Sequence, residues 1–188
     1  MASTARAACL AIMAIIGADS STYAKGKGDS GPPLKGTMKK FEPTTIRPPA
    51  LETVFMDENG NELTLRDFRG RVVLLNFWAT WCGPCVREMP SLRYIHNKLK
   101  GPDFLVIALS EDRQGWKKIR PFRDKLNLGD LPLYHDAKSK MMFASKAFGL
   151  PTTILIGRDG KELGRLTGFA EWDTDEAIAL LRYYIGGK

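Results

Sequence analysis

The residues of this sequence best suited to chemistry are two cysteines separated by a glycine and a proline, Cys82-Gly83-Pro84-Cys85. An apolar run of strand length precedes the pair and helical periodicity follows it, which predicts that Cys82 lies at a helix N-terminus. Free N–H groups and the helix dipole stabilise an anion there, and the thiolate is the form of cysteine that attacks disulfides. Cys82 is therefore the predicted nucleophile, and Cys85 is the resolving cysteine that breaks the mixed disulfide. Gly83 and Pro84 keep the turn tight, since proline suits the first turn of a helix.

Other uses of the cysteine pair are less well supported. A zinc site needs about four ligands, and the only further candidates are His96 and His135. A purely structural disulfide that closes so short a loop gains little stability. Redox chemistry without a metal or cofactor is therefore the preferred interpretation. His96 is expected to be an exposed helix residue, and His135 is expected to be structural.

Two tryptophans flank the pair. Trp78 and Trp81 are expected to shield the sulfurs and to offer a flat apolar surface beside them. Trp81, Gly83 and Pro84 are therefore candidate substrate contacts.

Composition limits the class of protein. The chain has 188 residues of which 44% are hydrophobic, enough for one real core, and its net charge is +7. A basic balance suits acidic protein partners, anionic lipid or nucleic acid. Because no nucleic-acid-binding motif is recognisable, acidic partners or membrane proximity are favoured, and a generically basic surface is an equal alternative.

The first fifty residues are predicted to lie outside the folded domain. Arg6, an apolar run over residues 7–18 and small residues up to Ala24 match a secretory signal peptide over 1–24, cleaved or retained as an anchor. Cys9 would be a small apolar residue of this leader. Residues 25–50 hold four glycines, five prolines and six Lys/Arg, which predicts a flexible basic linker. The domain is placed at 51–188, outside the cytoplasm.

The pattern within that domain predicts an α/β fold. A hairpin is expected over 52–65 around Asn59-Gly60, followed by strand 71–77, a helix from Cys82–Pro84, and strand 104–109 as a parallel pair. Helices at 114–126 and 138–148 follow, then strands 152–156 and 162–166, and a last helix capped by Asp173. This order is that of a thioredoxin fold, a mixed sheet flanked by helices, with an N-terminal β-hairpin and a helical insert.

The segments NFWATWCGPC (76–85), EMP (88–90) and GLPTT (149–153) resemble the TlpA/ResA-like branch of extracytoplasmic thioredoxins. The resemblance covers about residues 51–187. It implies that Pro151 is a cis-proline facing the cysteines and that the Leu150 backbone contacts substrate. Asn76 stands where cytoplasmic thioredoxins usually carry an aspartate, so Glu88, which matches the acid of this branch, is expected to handle the proton of Cys85.

The resemblance also implies a task. Members of this branch usually reduce disulfides of client proteins, with electrons from a membrane thiol donor, during cytochrome c maturation or copper-site and oxidase assembly. Thr152 after Pro151, instead of an acidic residue, slightly favours the copper-site role. Residues 111–136 resemble the helical insert of the branch, with a role in partner choice, and a monomer is expected. A thiol oxidant and a copper-handling binding module remain alternatives.

Overall fold

The apolar run after residue 71 forms the centre of the molecule. In the computed structural model, which describes residues 31–44 and 52–187, eight strands form one mixed sheet with four α-helices packed on it. The strands are β1 (Phe41–Pro43), β2 (Phe55–Met56), β3 (Glu62–Leu63), β4 (Val72–Trp78), β5 (Phe104–Ser110), β6 (Leu133–His135), β7 (Thr152–Ile156) and β8 (Glu162–Thr167), and the α-helices are α1 (Gly83–Leu99), α2 (Trp116–Lys125), α3 (Lys140–Ala144) and α4 (Asp175–Ile185).

The sheet topology confirms the predicted α/β architecture. The strand order is β1-β8-β7-β4-β5-β6-β2-β3, with β4 parallel to β5 and antiparallel to β7. The predicted strand–helix–strand unit is therefore β4-α1-β5. Both long strands are buried along their whole length, as expected for a sheet covered on two faces.

Two hydrophobic cores lie on opposite faces of the sheet. Alternate side chains of a strand point to opposite faces, so Leu74 and Trp78 join the core beneath α1, α2 and α4. Leu75 and Phe77 join the other core, with Met141 of α3. Asn76 is the polar residue that β4 presents on the α1 side. This position sets it beneath the helix that carries the cysteines.

The prediction of a flexible linker over 25–50 is wrong for residues 31–44. A 3-10 helix spans Gly36–Lys40, and β1 pairs with β8 with Phe41 opposite Leu166. Met38 and Phe41 are buried, and burial of such a side chain stabilises by about 1.5–3 kcal/mol. Composition indicated disorder because it does not reveal the unpaired edge of β8 that this segment covers. The leader at 1–24 and the rest of the linker lie outside the described residues.

Gly164 of β8 makes room for this N-terminal segment. A Cβ atom at this position would lie 2.5 Å from Phe41 Cζ and 2.6 Å from the carbonyl oxygen of Glu42. Only glycine lets β1 approach so closely.

Three smaller predictions also need correction. The helix predicted over 138–148 is confined to α3, because Lys138 and Ser139 adopt positive φ and interrupt it. Thr174, not Asp173, caps α4, since its side chain accepts a hydrogen bond from the amide of Ala177. His96 is buried, not exposed, and its Nδ1 lies 3.4 Å from the amide of Val106 in β5. Within residues 31–44 and 52–187, no helix has the length and apolar character to cross a membrane.

Candidate active site

The two cysteines lie at the start of α1 and are joined by a disulfide. Cys82 is the N-cap residue, and its Sγ accepts a hydrogen bond from the amide of Cys85 at 3.3 Å. The same amide would stabilise a thiolate at Cys82 after reduction. Cys82 is 6% exposed whereas Cys85 is fully buried. A client sulfur can therefore reach only Cys82, which agrees with its predicted role as the nucleophile.

The two flanking tryptophans have different positions. The Trp78 ring is buried in the core, 5.0 Å from the ring centre of Phe122. Trp81 is 71% exposed beside Cys82, and Gly83 and Pro84 are exposed as well. Of the two tryptophans, only Trp81 therefore contributes to the open apolar surface predicted next to the cysteines.

The peptide bond between Leu150 and Pro151 is cis, as the resemblance implied. Leu150 lines the same cleft as Cys82. Within residues 31–44 and 52–187, neither the amide nor the carbonyl of Leu150 has a hydrogen-bond partner. Both groups are therefore free to pair with an extended segment of another chain.

Glu88 lies one helical turn beyond Cys85 and is fully buried. Its Oε1 accepts hydrogen bonds from Trp172 Nε1 at 2.7 Å and from the amide of Ala170 at 3.2 Å. Its Oε2 accepts a hydrogen bond from Asn76 Nδ2 at 3.3 Å. Burial raises the pKa of Glu88 to about 7, and these three hydrogen bonds offset part of that rise. The carboxyl group can therefore exchange a proton near neutral pH.

Asn76 connects Glu88 with the strand that follows Pro151. Its Nδ2 also donates to Thr153 Oγ1 at 2.9 Å, while its buried Oδ1 has no partner among the described residues. With the amide turned by half a rotation, Oδ1 would face Glu88 Oε2 and could accept its proton in a hydrogen bond. Asn76 can thus form a hydrogen bond with Glu88 in either protonation state, as the donor to the carboxylate or as the acceptor from the carboxylic acid. An ionised aspartate at this position could only accept, and it would add a charge.

A second group of carboxyls follows β5, on the Cys82 side of the site. Glu111 is buried, and burial raises its pKa to about 8, with Asp136 and Asp112 adding to the rise and Ser139 offsetting part of it. Neither Glu111 oxygen makes a well-formed hydrogen bond to the described residues. Asp112 accepts hydrogen bonds from the amide of Thr80 at 2.9 Å and from Thr80 Oγ1 at 2.7 Å. This contact ties the loop before Cys82 to the end of β5.

Cys82 faces an open cleft with a volume of about 910 Å³. We name this space, which is bounded by Trp81, Cys82, Phe143, Phe148 and Leu150, the active-site cleft. Its position at the carboxyl ends of β4 and β5 follows from the parallel pairing of those strands.

Comparisons with known proteins agree with this geometry. A family model described as "AhpC/TSA family" matches residues 46–161. The thiol-disulfide oxidoreductase ResA of Bacillus cereus is 33% identical over 134 residues, 71% of this chain and 76% of ResA. This chain belongs to the ResA-like thiol–disulfide oxidoreductases of the AhpC/TSA family. ResA of Geobacillus kaustophilus is 35% identical over 121 residues, 63% of this oxidoreductase and 67% of that protein.

Solved structures resemble this oxidoreductase in fold. A crystal structure from Chlorobium tepidum, assigned as a thiol:disulfide interchange protein DsbE, has a TM-score of 0.67 and 28% identity, and covers 74% of this chain and 97% of that chain. The exposed lipoprotein thioredoxin Etrx1 of Streptococcus pneumoniae has a TM-score of 0.59 and 25% identity, and covers 71% of this chain and 98% of that chain.

The fold brings most of the predicted site residues of this oxidoreductase to one place. Trp81, Cys82, Pro84 and Leu150 line the active-site cleft, and Cys85 and Glu88 are buried residues of the first two turns of α1. The two histidines are structural: His135 Nε2 lies 3.1 Å from the carbonyl oxygen of Asp112, and His96 Nδ1 accepts a hydrogen bond from the amide of Val106 at 3.4 Å. Burial, followed by the charge of Lys100, lowers the pKa of His96 to about 4, so the imidazole is neutral.

Sequence reasoning missed Glu111 and Asp112 as parts of the site. Their signal was a pair of acids directly after the apolar run 104–109. At the end of a strand parallel to β4, such acids must lie near the residues that follow β4.

Proposed function

We propose that this oxidoreductase works as a reductant of disulfides in client proteins outside the cytoplasm. The observation that carries the proposal is the buried carboxyl of Glu88 one turn beyond Cys85. A thioredoxin-like protein becomes a strong oxidant when its reduced form is stabilised. The negative charge of an acid near the sulfurs opposes thiolate formation and so destabilises the reduced form. The equilibrium between the Cys82–Cys85 dithiol and its disulfide then shifts toward the disulfide, which makes the dithiol a better electron donor.

The catalytic cycle follows from the positions of the two sulfurs. The Cys82 thiolate attacks a client disulfide, which forms a mixed disulfide and expels one client thiolate that takes a proton from solvent. The Cys85 thiol then gives its proton to Glu88, and its sulfur attacks Cys82 Sγ. The second client thiolate leaves and is protonated, and the protein keeps the Cys82–Cys85 disulfide. The client gains two electrons, which an external dithiol must return to the protein.

Pro151 and Leu150 would hold the client during this exchange. The free amide and carbonyl of Leu150 support a short β-type pairing with the client next to its reacting sulfur. We propose Trp81, Gly83 and Pro84 as further client contacts, because all three are exposed around Cys82.

The location, electron donor and client class are part of the same proposal. The leader-like residues 1–24 support export, and a membrane thiol donor would then supply the electrons. Of the two client classes that the resemblance implies, copper-site assembly is favoured over cytochrome c maturation, because Thr152 follows Pro151.

Trapping tests the proposal directly. The Cys85→Ala variant is expressed in the native cells, and mixed disulfides between its Cys82 and client proteins should accumulate in the envelope fraction. Cys82→Ala is the matched control and should accumulate none. A reduction potential near −270 mV supports the reductant, whereas a value near −120 mV would identify an oxidant. Stoichiometric Cu(I) that stays bound through gel filtration and is lost with either cysteine would identify the copper-handling alternative.

A further inference from the structure

We propose that the active-site cleft selects client segments that carry an acidic side chain and a large apolar side chain close to the reacting cysteine. The inference rests on the proposed function, since it names the kind of client segment that reaches Cys82. Three features of the cleft support it: an aromatic wall, a basic rim and an unpaired backbone segment.

The aromatic wall consists of residues that a folded chain usually buries. Trp81, Phe143 and Phe148 are 71%, 61% and 78% exposed, and all three line the cleft. Only two other large hydrophobic side chains of the described residues, Val54 and Tyr94, are exposed. Grouped exposure of this kind marks an interaction surface, and aromatic side chains contribute most to such contacts.

These three side chains come from separate parts of the chain. Trp81 precedes α1, Phe143 belongs to α3, and Phe148 lies in the loop before Pro151. The exposure of these three side chains therefore does not arise from the apolar face of a single helix. Their convergence next to Cys82 fits a partner that presents an apolar side chain beside its own sulfur.

Another part of the cleft lining is a basic rim. Arg113 and Lys118 are exposed at the cleft, and neither makes an ion pair with any residue in 31–44 or 52–187. Two neighbouring bases of α2 differ, because Arg120 and Arg123 both pair with Glu58.

The acids of the cleft do not cancel this rim. Glu111 is buried, and because burial raises its pKa to about 8 it is mostly uncharged at neutral pH. Asp112 is buried and its carboxylate is occupied by hydrogen bonds from Thr80 and Ser110. The accessible charge at the cleft is therefore positive, and its complement is an acidic side chain.

The backbone beside Pro151 indicates the shape of the partner. The unpaired amide and carbonyl of Leu150 follow Phe148 by two residues in the chain, in the same cleft as Cys82, and they suit an extended polypeptide. An acidic residue on one side of the client cysteine and an apolar one on the other would then meet the basic rim and the aromatic wall.

Three peptides test this selectivity. Each has the same length and one cysteine held in a mixed disulfide with 2-mercaptoethanol, flanked by Phe and Glu, by Phe and Lys, or by Ala and Glu. The reduced full chain should act on the Phe–Glu peptide with a kcat/KM roughly tenfold above that for either other peptide, the scale expected for one pocket contact. Equal values for the three peptides would overturn the inference while leaving the proposed function intact.

Two pairs of variants assign the effect to the cleft. Lys118→Glu should abolish the preference for Glu over Lys in the peptide, because its acid offsets the charge of Arg113, while Lys117→Glu, an exposed neighbour outside the cleft, should keep the preference. Phe148→Ala should abolish the preference for Phe over Ala, while Tyr94→Ala, an exposed aromatic residue elsewhere, should keep it. Equal effects of a cleft variant and its control would refute the assignment.

Binding without exchange separates the inference from the chemistry. The same peptides with serine in place of cysteine should bind in the same order, with roughly tenfold differences in Kd. If this order holds but no disulfide is reduced, the proposed function fails and the recognition surface stands. If the three serine peptides bind equally, the cleft does not select by charge and apolar character.

Discussion

The wild-type protein should lose folding stability as the pH rises toward 7 because the pKa of Glu88 is raised, and replacing Glu88 by glutamine should remove most of this loss. The pKa of Glu88 is raised from 4.5 to about 7 in the folded protein. The folded state therefore binds this proton more tightly than the unfolded state does. At roughly 1.4 kcal/mol per pH unit, the wild type should lose about 3 kcal/mol between pH 4.5 and pH 7, relative to a chain without this group. Below pH 4.5 both states are protonated, and the term is absent.

Glutamine suits this test because the pocket can accept it. Its carbonyl oxygen can take the hydrogen bonds from Trp172 and Ala170 that Oε1 now accepts. Its amide can donate to Asn76 Oδ1 once the Asn76 side chain turns by half a rotation, which uses an oxygen that has no partner at present among the described residues.

The assay is urea unfolding of the oxidised protein from pH 4 to pH 8, where the disulfide keeps both cysteines from titrating. The free energy of unfolding of Glu88→Gln minus that of the wild type should rise by about 3 kcal/mol across this range. The contributions of the other titrating groups to the free energy of unfolding cancel in this difference. Glu171→Gln, which removes the same charge from an exposed neighbour, is the matched control. A difference for Glu88→Gln that rises no more than that of the control would refute the assignment of a raised pKa to the Glu88 carboxyl.

Three further predictions follow from the same contacts. Trp172→Phe removes the Nε1 donor to Glu88, so the loss of stability in urea should be larger at pH 8 than at pH 5, reaching about 1.5–3 kcal/mol for a hydrogen bond to a charged group; equal losses would show that the bond does not favour the ionised carboxyl. Met38→Ala leaves a cavity under the N-terminal segment and should cost about 2–5 kcal/mol in urea unfolding, with faster proteolysis near residue 38; an unchanged midpoint would mean that this segment does not pack on the domain. Glu111→Gln should make alkylation of Cys82 faster above pH 8 in the reduced protein, because an ionised Glu111 disfavours a second negative charge in the same cleft; identical rates over pH 6–9 would contradict this.

Local patterns predicted the parts of the fold that depend on local chemistry. The start of α1 could be placed because the Cys-Gly-Pro-Cys motif follows an apolar run, and β4 and β5 were recognisable as buried strands. Errors arose where contacts between distant segments decide the outcome. The segment around Met38 resembled a linker because its composition is polar, yet it covers the edge of β8. His96 resembled an exposed helix residue, yet the amide of Val106 donates to it.

The sequence alone determined the place of the cysteine pair at a helix start and the kind of reaction, and it predicted which sulfur attacks, since a motif and its periodicity are local properties of the chain. Only the tertiary structure decided the proton affinity of Glu88 and the shape and charge of the active-site cleft. Glu88 owes its raised pKa to burial, and two of its three hydrogen-bond donors lie 82 and 84 residues further along the chain. The desolvation of a carboxyl group depends on all of its neighbours in space, and the local sequence does not indicate which distant residues those neighbours are.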